Sequence, residues 1–341
     1  GLVISGNTSH NFDDLYLVKL KGNCQGLVEY DFVVTEAVSG SADHSFTLGF
    51  DETWASDKNI VGTIIIPDGI TLTISNCTIR FADSQQIAWP TRIIVEGGGS
   101  LILEEAILTS LDQCPNSMWD GIQLHGQELA SQQSYPGIGL LQGYLSAKGS
   151  TISNARTGVA VTDGDFLAPL PPKPGSGGIL EATDCTFLNN KYDVAFSPYE
   201  NHTVANPETV LPNFSLFTRC DFVTDGGLPA NGEYPNTHVV MTSVRGISFK
   251  GCTWRNTLFG QEPLELPSQQ GTGISSTNSS FIVSDDCGVL VQGVPCPSQY
   301  LTTSAFTNLH RGILATTFDP SRTFSVDKAT FTGTNYGIRM E

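Results

Sequence analysis

Two adjacent carboxylates, Asp285 and Asp286, are followed by His310 and then by Arg339. Acids held close together are what glycosidic-bond hydrolysis needs, one as general acid and the other as base or nucleophile. Asp184, Asp221 and Asp225 are the nearest set for a cation, and no basic catalytic partner accompanies them. His10, His44, His125, His202, His238 and His310 are scattered, and each reads as a turn residue. The eight cysteines form no C-x-x-C and no Cys/His cluster with zinc spacing. No nucleophile elbow or phosphate-cradling glycine loop stands between a strand and a helix. The residues assign no catalytic group, no metal ligand and no cofactor.

The elements that would position such groups follow from composition. The 341 residues carry 34 Asp+Glu against 17 Lys+Arg, a net charge of −17. Without a basic stripe the chain is no nucleic-acid binder. Hydrophobic residues are 39% and charged residues 15%, too apolar for a disordered chain. No apolar run is long enough to span a membrane. The chain opens on Gly1 without a basic start or apolar run, which reads as a mature or excised fragment. Period-two alternation recurs, as in Thr71-Leu72-Thr73-Ile74, while helical periodicity does not. The expected class is all-β.

A repeat lies beneath uneven spacing. Small residues at Cys77, Ala106, Ser150, Cys185, Cys220, Cys252, Ser279, Ser304 and Ala329 are each followed two positions later by a large apolar one. Those are Ile79, Leu108, Ile152, Phe187, Phe222, Trp254, Phe281, Phe306 and Phe331. Asn recurs at Asn154, Asn189, Asn256 and Asn308, and Gly at Gly158, Gly260, Gly312 and Gly337. A minimum period near 25 residues is too short for a propeller blade of about 40–50. It suits a right-handed parallel β-helix of about nine or more coils, stacked at roughly 4.8 Å. Asn would take the left-handed turn and Gly would supply positive φ at a corner. Residues 1–50 lack the column and read as an N-terminal β-hairpin or cap, leaving 51–341 as the β-helix.

Two stretches carry resemblances. Gly1 to Ser9 followed by Asp13-Asp14-Leu15-Tyr16-Leu17-Val18-Lys19 resembles the last blade of propeller-type repeats in large exported Bacteroidota proteins. Gly62 to Ile74, with Trp119-Asp120-Gly121-Ile122 after Cys114-Pro115, is similar to the β-helix regions of type IX-secreted Bacteroidota surface proteins. The resemblance implies export across the outer membrane, then attachment at the cell surface or release. A C-terminal sorting domain usually follows in such proteins, and none is visible before Glu341. The order Asp285-Asp286, His310, Arg339 resembles polygalacturonases too, but the rest of their pattern is missing. Thr277-Asn278-Ser279 stands where Asn-Thr-Asp would, Leu309 precedes the His, and Met340 follows the Arg.

Cys77, Cys185, Cys220 and Cys252 fall in the small column and read as packing, whereas Cys287 and Cys296 flank a loop and are expected to bridge. Long excursions at 163–178, 197–213, 261–271 and 294–299 fall at one phase of the coil, hence on one edge. Loops gathered so either build a binding face or cover an apolar sheet. Phe166, Tyr199, His202 and Tyr300 at or near their tips are the candidate recognition residues. The reading is an extracellular, surface-displayed structural or adhesive segment of a larger protein. Its partners would be a surface glycan, a protein, a second copy or neighbouring domains of the same polypeptide. The alternative is a carbohydrate-active enzyme, a polysaccharide lyase or polygalacturonase-like hydrolase.

Overall fold

The computed structural model describes residues 3–4, 18–19, 32–34, 45–84, 90–111, 117–162, 175–225, 237–258, 267–289 and 296–341. Among the described residues helix is confined to single turns such as Pro267–Gln270. The described strands form three long sheets of ten, nine and ten members, with two short antiparallel pairs beside them. The chain visits them in a fixed order. Thr63–Ile66 lies in the first sheet, Thr71–Ser75 in the second and Thr78–Phe81 in the third, and Arg92–Val95 returns beside Thr63–Ile66. Every such pairing is parallel, with the partner one full coil away. The molecule is a parallel β-helix.

Alternation along each strand fills the coil, and like stacks on like. In the first sheet Ile64, Ile93, Ile122, Val159, Val194, Val239, Ile274 and Ile313 follow one another in register, all fully buried. In the third, Phe187, Phe222, Trp254, Phe306 and Phe331 stack ring on ring, with centroids 5.0, 5.2, 4.4 and 4.9 Å apart. These separations match the strand spacing of about 4.8 Å, so ring stacking and backbone pairing reinforce each other. The small column turns the corner from the second sheet to the third. A left-handed residue precedes it at Asn76, Glu105, Asp184, Arg219 and Lys328. Cys77, Cys185, Cys220 and Cys252 are free, buried thiols, and burial pushes the Cys220 thiol up.

Three expectations are corrected. Ser279 and Phe281 do not belong to the small–large column. Cys252 is followed there by Ser304, since Thr253 pairs with Ala305, while Phe281 lies opposite Ile247 in the second sheet. The reason is that two corners use one device. Ser279 Oγ accepts from Val244 N at 3.2 Å at its corner, as Ser304 Oγ accepts from Cys252 N at 3.1 Å at the other. The glycine column, secondly, is not there for positive φ. Gly158, Gly312 and Gly337 lack it, but a Cβ at Gly158 would come within 2.6 Å of Asp193 O, and one at Gly312 within 2.6 Å of Gly337 O. Close approach of successive coils excludes the side chain. Gly260 lies outside the described residues. Thirdly, Asn154, Asn189 and Asn308 take left-handed turns but Asn256 does not: it ends the strand Thr253–Asn256, and its Nδ2 donates to Gln269 O at 3.1 Å.

At the N-terminal end Val3–Ile4 pairs antiparallel with Val18–Lys19. Phe32–Val34 and Ser45–Thr47 pair in parallel with Lys58–Val61 and Thr63–Ile66. Coiled pairing therefore starts ahead of the boundary expected at residue 50.

Candidate functional site

Connection length varies by corner. The turn from second to third sheet is mostly tight, so long segments gather at the two corners that flank the first sheet. From first to second sheet, connections 125–143, 162–178 and 197–215 belong to three consecutive coils. From third to first, the long ones are 82–91, 111–118, 225–236 and 257–271. The outer face of the first sheet thus lies between the two corners with the long connections. The single edge expected for all four excursions is corrected accordingly. By the strands that flank them, 163–178 and 197–213 belong to one connection type, 261–271 to the third-to-first and 294–299 to the second-to-third; residues 163–174, 261–266 and 294–295 lie outside the described residues.

The first-to-second bank is bound into one body by buried side-chain amides. Gln142 Nε2 donates to Gln127 O at 3.0 Å and Ala130 O at 2.8 Å, and its Oε1 accepts from Gln127 N at 2.8 Å. Gln132 Nε2 donates to Gly177 O at 3.0 Å, and its Oε1 accepts from Phe214 N at 2.7 Å. Asn201 Oδ1 accepts from Gln132 N at 2.9 Å, and its Nδ2 donates to Pro212 O at 2.8 Å. Loop backbone has no ladder to satisfy it, and a buried unpaired amide or carbonyl is costly. A side chain with both donors and acceptors meets that demand from a neighbouring coil. The resulting platform holds Leu129 and Ile138 out to solvent, 83% and 72% exposed.

The recognition candidates fall in different places. Tyr199, only 5% exposed, donates its hydroxyl to Ala130 O at 2.6 Å, and burial pushes its phenol up. It anchors the platform and offers no surface to a partner, which corrects its place at a loop tip. His202 is half-buried beside it. Its N–H donates to Asn201 Oδ1 at 3.0 Å and its carbonyl accepts from Ser131 Oγ. Phe166 lies outside the described residues. Tyr300 is 46% exposed but stands at the second-to-third corner, in the turn Ser298–Tyr300. The excursion there is closed by a Cys287–Cys296 disulfide with Cα atoms 5.9 Å apart. Reducing this bond is expected to speed cleavage within 288–295 in limited proteolysis, because its ring no longer restrains the chain. Equal cleavage rates with and without reductant would show that the bridge restrains nothing.

The acids do not meet the histidine. Asp285 and Asp286 leave the second sheet, whereas His310 opens the first, and strand Ala305–Thr307 of the third lies between them. Arg219 donates to Asp184 at 2.7 Å and to Asp286, and holds the Asp184 carboxyl below the usual range. Asp285 faces Lys328 Nζ at 3.7 Å. Asp221 accepts from Thr253 Oγ1 and Asp225 from Asn189 at 2.6 Å. Asp184, Asp221, Asp225 and Asp286 are thus held by neighbouring side chains, while among the described residues the Asp285 carboxylate accepts no hydrogen bond. Among the described residues no three His, Cys, Asp or Glu are placed to hold a metal ion.

One pair escaped the sequence reading. Asp193 and His238 occupy the glycine column between Gly158 and Gly273. They are 1% and 2% exposed, with His238 Nδ1 2.6 Å from Asp193 Oδ2 and Asn190 Nδ2 donating to Asp193 Oδ1 at 2.8 Å. His238 is a core residue on a strand and not the turn residue expected. The only sequence signal was that the glycine column breaks in two successive coils.

No family model and no curated protein matches this chain. Among solved structures it is similar to the crystal structure of PfbA, a surface adhesin of Streptococcus pneumoniae. The likeness covers 84% of this chain and 71% of that one, at 10% identity and a TM-score of 0.31. No described helix is long and apolar enough to cross a membrane.

Proposed function

We propose that this chain is an extracellular adhesive β-helix, which uses the loop-flanked outer face of the first sheet to recognise a surface partner. The observation that carries the reading is the platform of 125–143, 175–178 and 197–215. Buried amides order it, and its outermost apolar side chains point to solvent. A recognition surface ordered before contact avoids the entropy of ordering loops on binding. The Cys287–Cys296 disulfide supports an oxidising compartment. Export by the type IX route in a Bacteroidota host is part of the proposal, and rests on the resemblance of 62–74 and 119–122.

Gln132→Ala tests it. Removing the amide leaves Gly177 O and Phe214 N without their partner, at roughly 1–3 kcal/mol, spent locally in the loops. Coils draw stability from their neighbours, so the melting transition should move little. Hydrogen exchange in 126–142 and 199–214 should rise, and binding of the labelled chain to a panel of cells and glycans should fall. Faster exchange with undiminished binding would remove the platform from recognition.

A further inference from the structure

We propose that the outer face of the last two coils holds an anion subsite, built from His310, Arg311, Tyr336 and Arg339, for a glycan residue bearing a carboxylate or sulfate. This rests on the outer face being the recognition surface, and adds the chemistry of what it takes.

Arg311 and Tyr336 are direct neighbours across two strands of the first sheet, and Leu314 pairs with Arg339 three residues along. Arg339 Cζ lies 5.4 Å from the centre of the Tyr336 ring, and the His310 ring meets the same ring edge-on at 5.5 Å. Arg339 and His310 therefore flank one aromatic ring that is 46% exposed, and Arg311 neighbours it across the strand pair. Like charges so close repel, and among the described residues the Arg311 guanidinium has no hydrogen bond or ion pair, with its Nε shielded from water. In a chain of net charge −17 such a cluster is out of keeping with its surroundings.

Every group left free here is a donor. Asn335 Nδ2 donates to Gln270 Oε1 at 3.0 Å and lies 3.1 Å from His310 Nδ1. With Nδ1 accepting from that amide, a neutral His310 carries its proton on Nε2. Burial, together with the nearby charges of Arg311 and Arg339, lowers the His310 pKa and so favours the neutral ring. The surface thus offers two guanidinium forks and an imidazole N–H beside an aromatic plane. Guanidinium forks match carboxylate and sulfate oxygens two at a time, and an exposed ring beside them accepts the apolar face of a sugar. The chain itself shows what the site takes, since Glu341 Oε1 sits 2.7 Å from Arg339 Nη2. That pair is well exposed, so it is weak enough to be displaced.

The experiment measures binding of hyaluronan oligosaccharides and of dextran sulfate to the intact chain by calorimetry, with neutral dextran as control. At least one anionic probe is expected to bind and dextran is not. Arg311→Ala should weaken binding about tenfold or more, as loss of a charge-assisted fork does. Tyr336→Ala should weaken it severalfold. Glu341→Gln should strengthen it, by freeing Arg339. Arg255→Ala, on the third sheet, should leave it unchanged. Neither probe binding, or Arg255→Ala weakening binding as much as Arg311→Ala, would overturn the subsite. A chain that ignores both probes yet still adheres to cells through its loops would sink the subsite alone. Loss of adhesion in Gln132→Ala bears only on the platform.

Discussion

Phe222→Ala is expected to destabilise the molecule by about 3–5 kcal/mol, the range for truncating a buried aromatic. The ring is fully buried, sandwiched between Phe187 at 5.0 Å and Trp254 at 5.2 Å, with Phe249 edge-on at 6.4 Å. The void cannot readily close. Asp221 to Thr224 is paired on both sides, to Thr186–Leu188 and Thr253–Asn256, and the ladders fix the coil spacing. Surrounding rings would have to leave register with their own neighbours to fill it. Chemical denaturation checks this, against Ile282→Ala as an outward-facing control expected within about 0.5 kcal/mol of the parent. A Phe222→Ala variant that unfolds like the parent would mean the ring does not sit in the stack.

His238→Ala is expected to cost about as much, roughly 3–5 kcal/mol, for a different reason: it leaves the buried Asp193 carboxyl without its partner. The double variant Asp193→Gly/His238→Gly should cost less than the sum of the single changes, because it restores the residue found at Gly158, Gly273 and Gly312 and removes the stranded acid. The pH dependence of His238→Ala has a definite sign. Burial raises the Asp193 pKa above its ordinary 3.8 even with His238 present, and loss of the imidazole removes a group that opposes the rise. An acid whose folded pKa is raised stabilises the fold while protonated. That contribution is full below the unfolded value and disappears as pH climbs through the folded one. Denaturation midpoints of His238→Ala should therefore fall, relative to the parent, as pH rises above the ordinary carboxylate value of 3.8. A midpoint gap independent of pH, or additive single and double variants, would show that the two residues do not act as a pair.

The coil was legible in the residues because a parallel β-helix stacks like on like. Cys185, Cys220 and Cys252, and Phe187, Phe222 and Trp254, lie one above another in space as they recur in sequence. Small before large at a two-residue corner is a local requirement, so it survives insertions of any length between coils. The left-handed turns at Asn154 and Asn189 are local in the same way.

Which corner an insertion occupies is not local. Ser279 meets the same demand at one corner that Ser304 meets at another, so the pattern alone could not separate them. The burial of Tyr199 depends on Ala130, far away in the chain, and its aromatic character suited a loop tip equally well. Asp193 and His238 were two unrelated polar residues until register placed them in one column. His310, Arg311, Tyr336 and Arg339 likewise acquire a common ring only through pairing between the last two coils. The sequence by itself determined the coil and its inner columns, because those repeat from turn to turn. The tertiary structure decided the loop banks, the buried pair and the donor cluster, because these arise from side chains brought together across coils of unequal length.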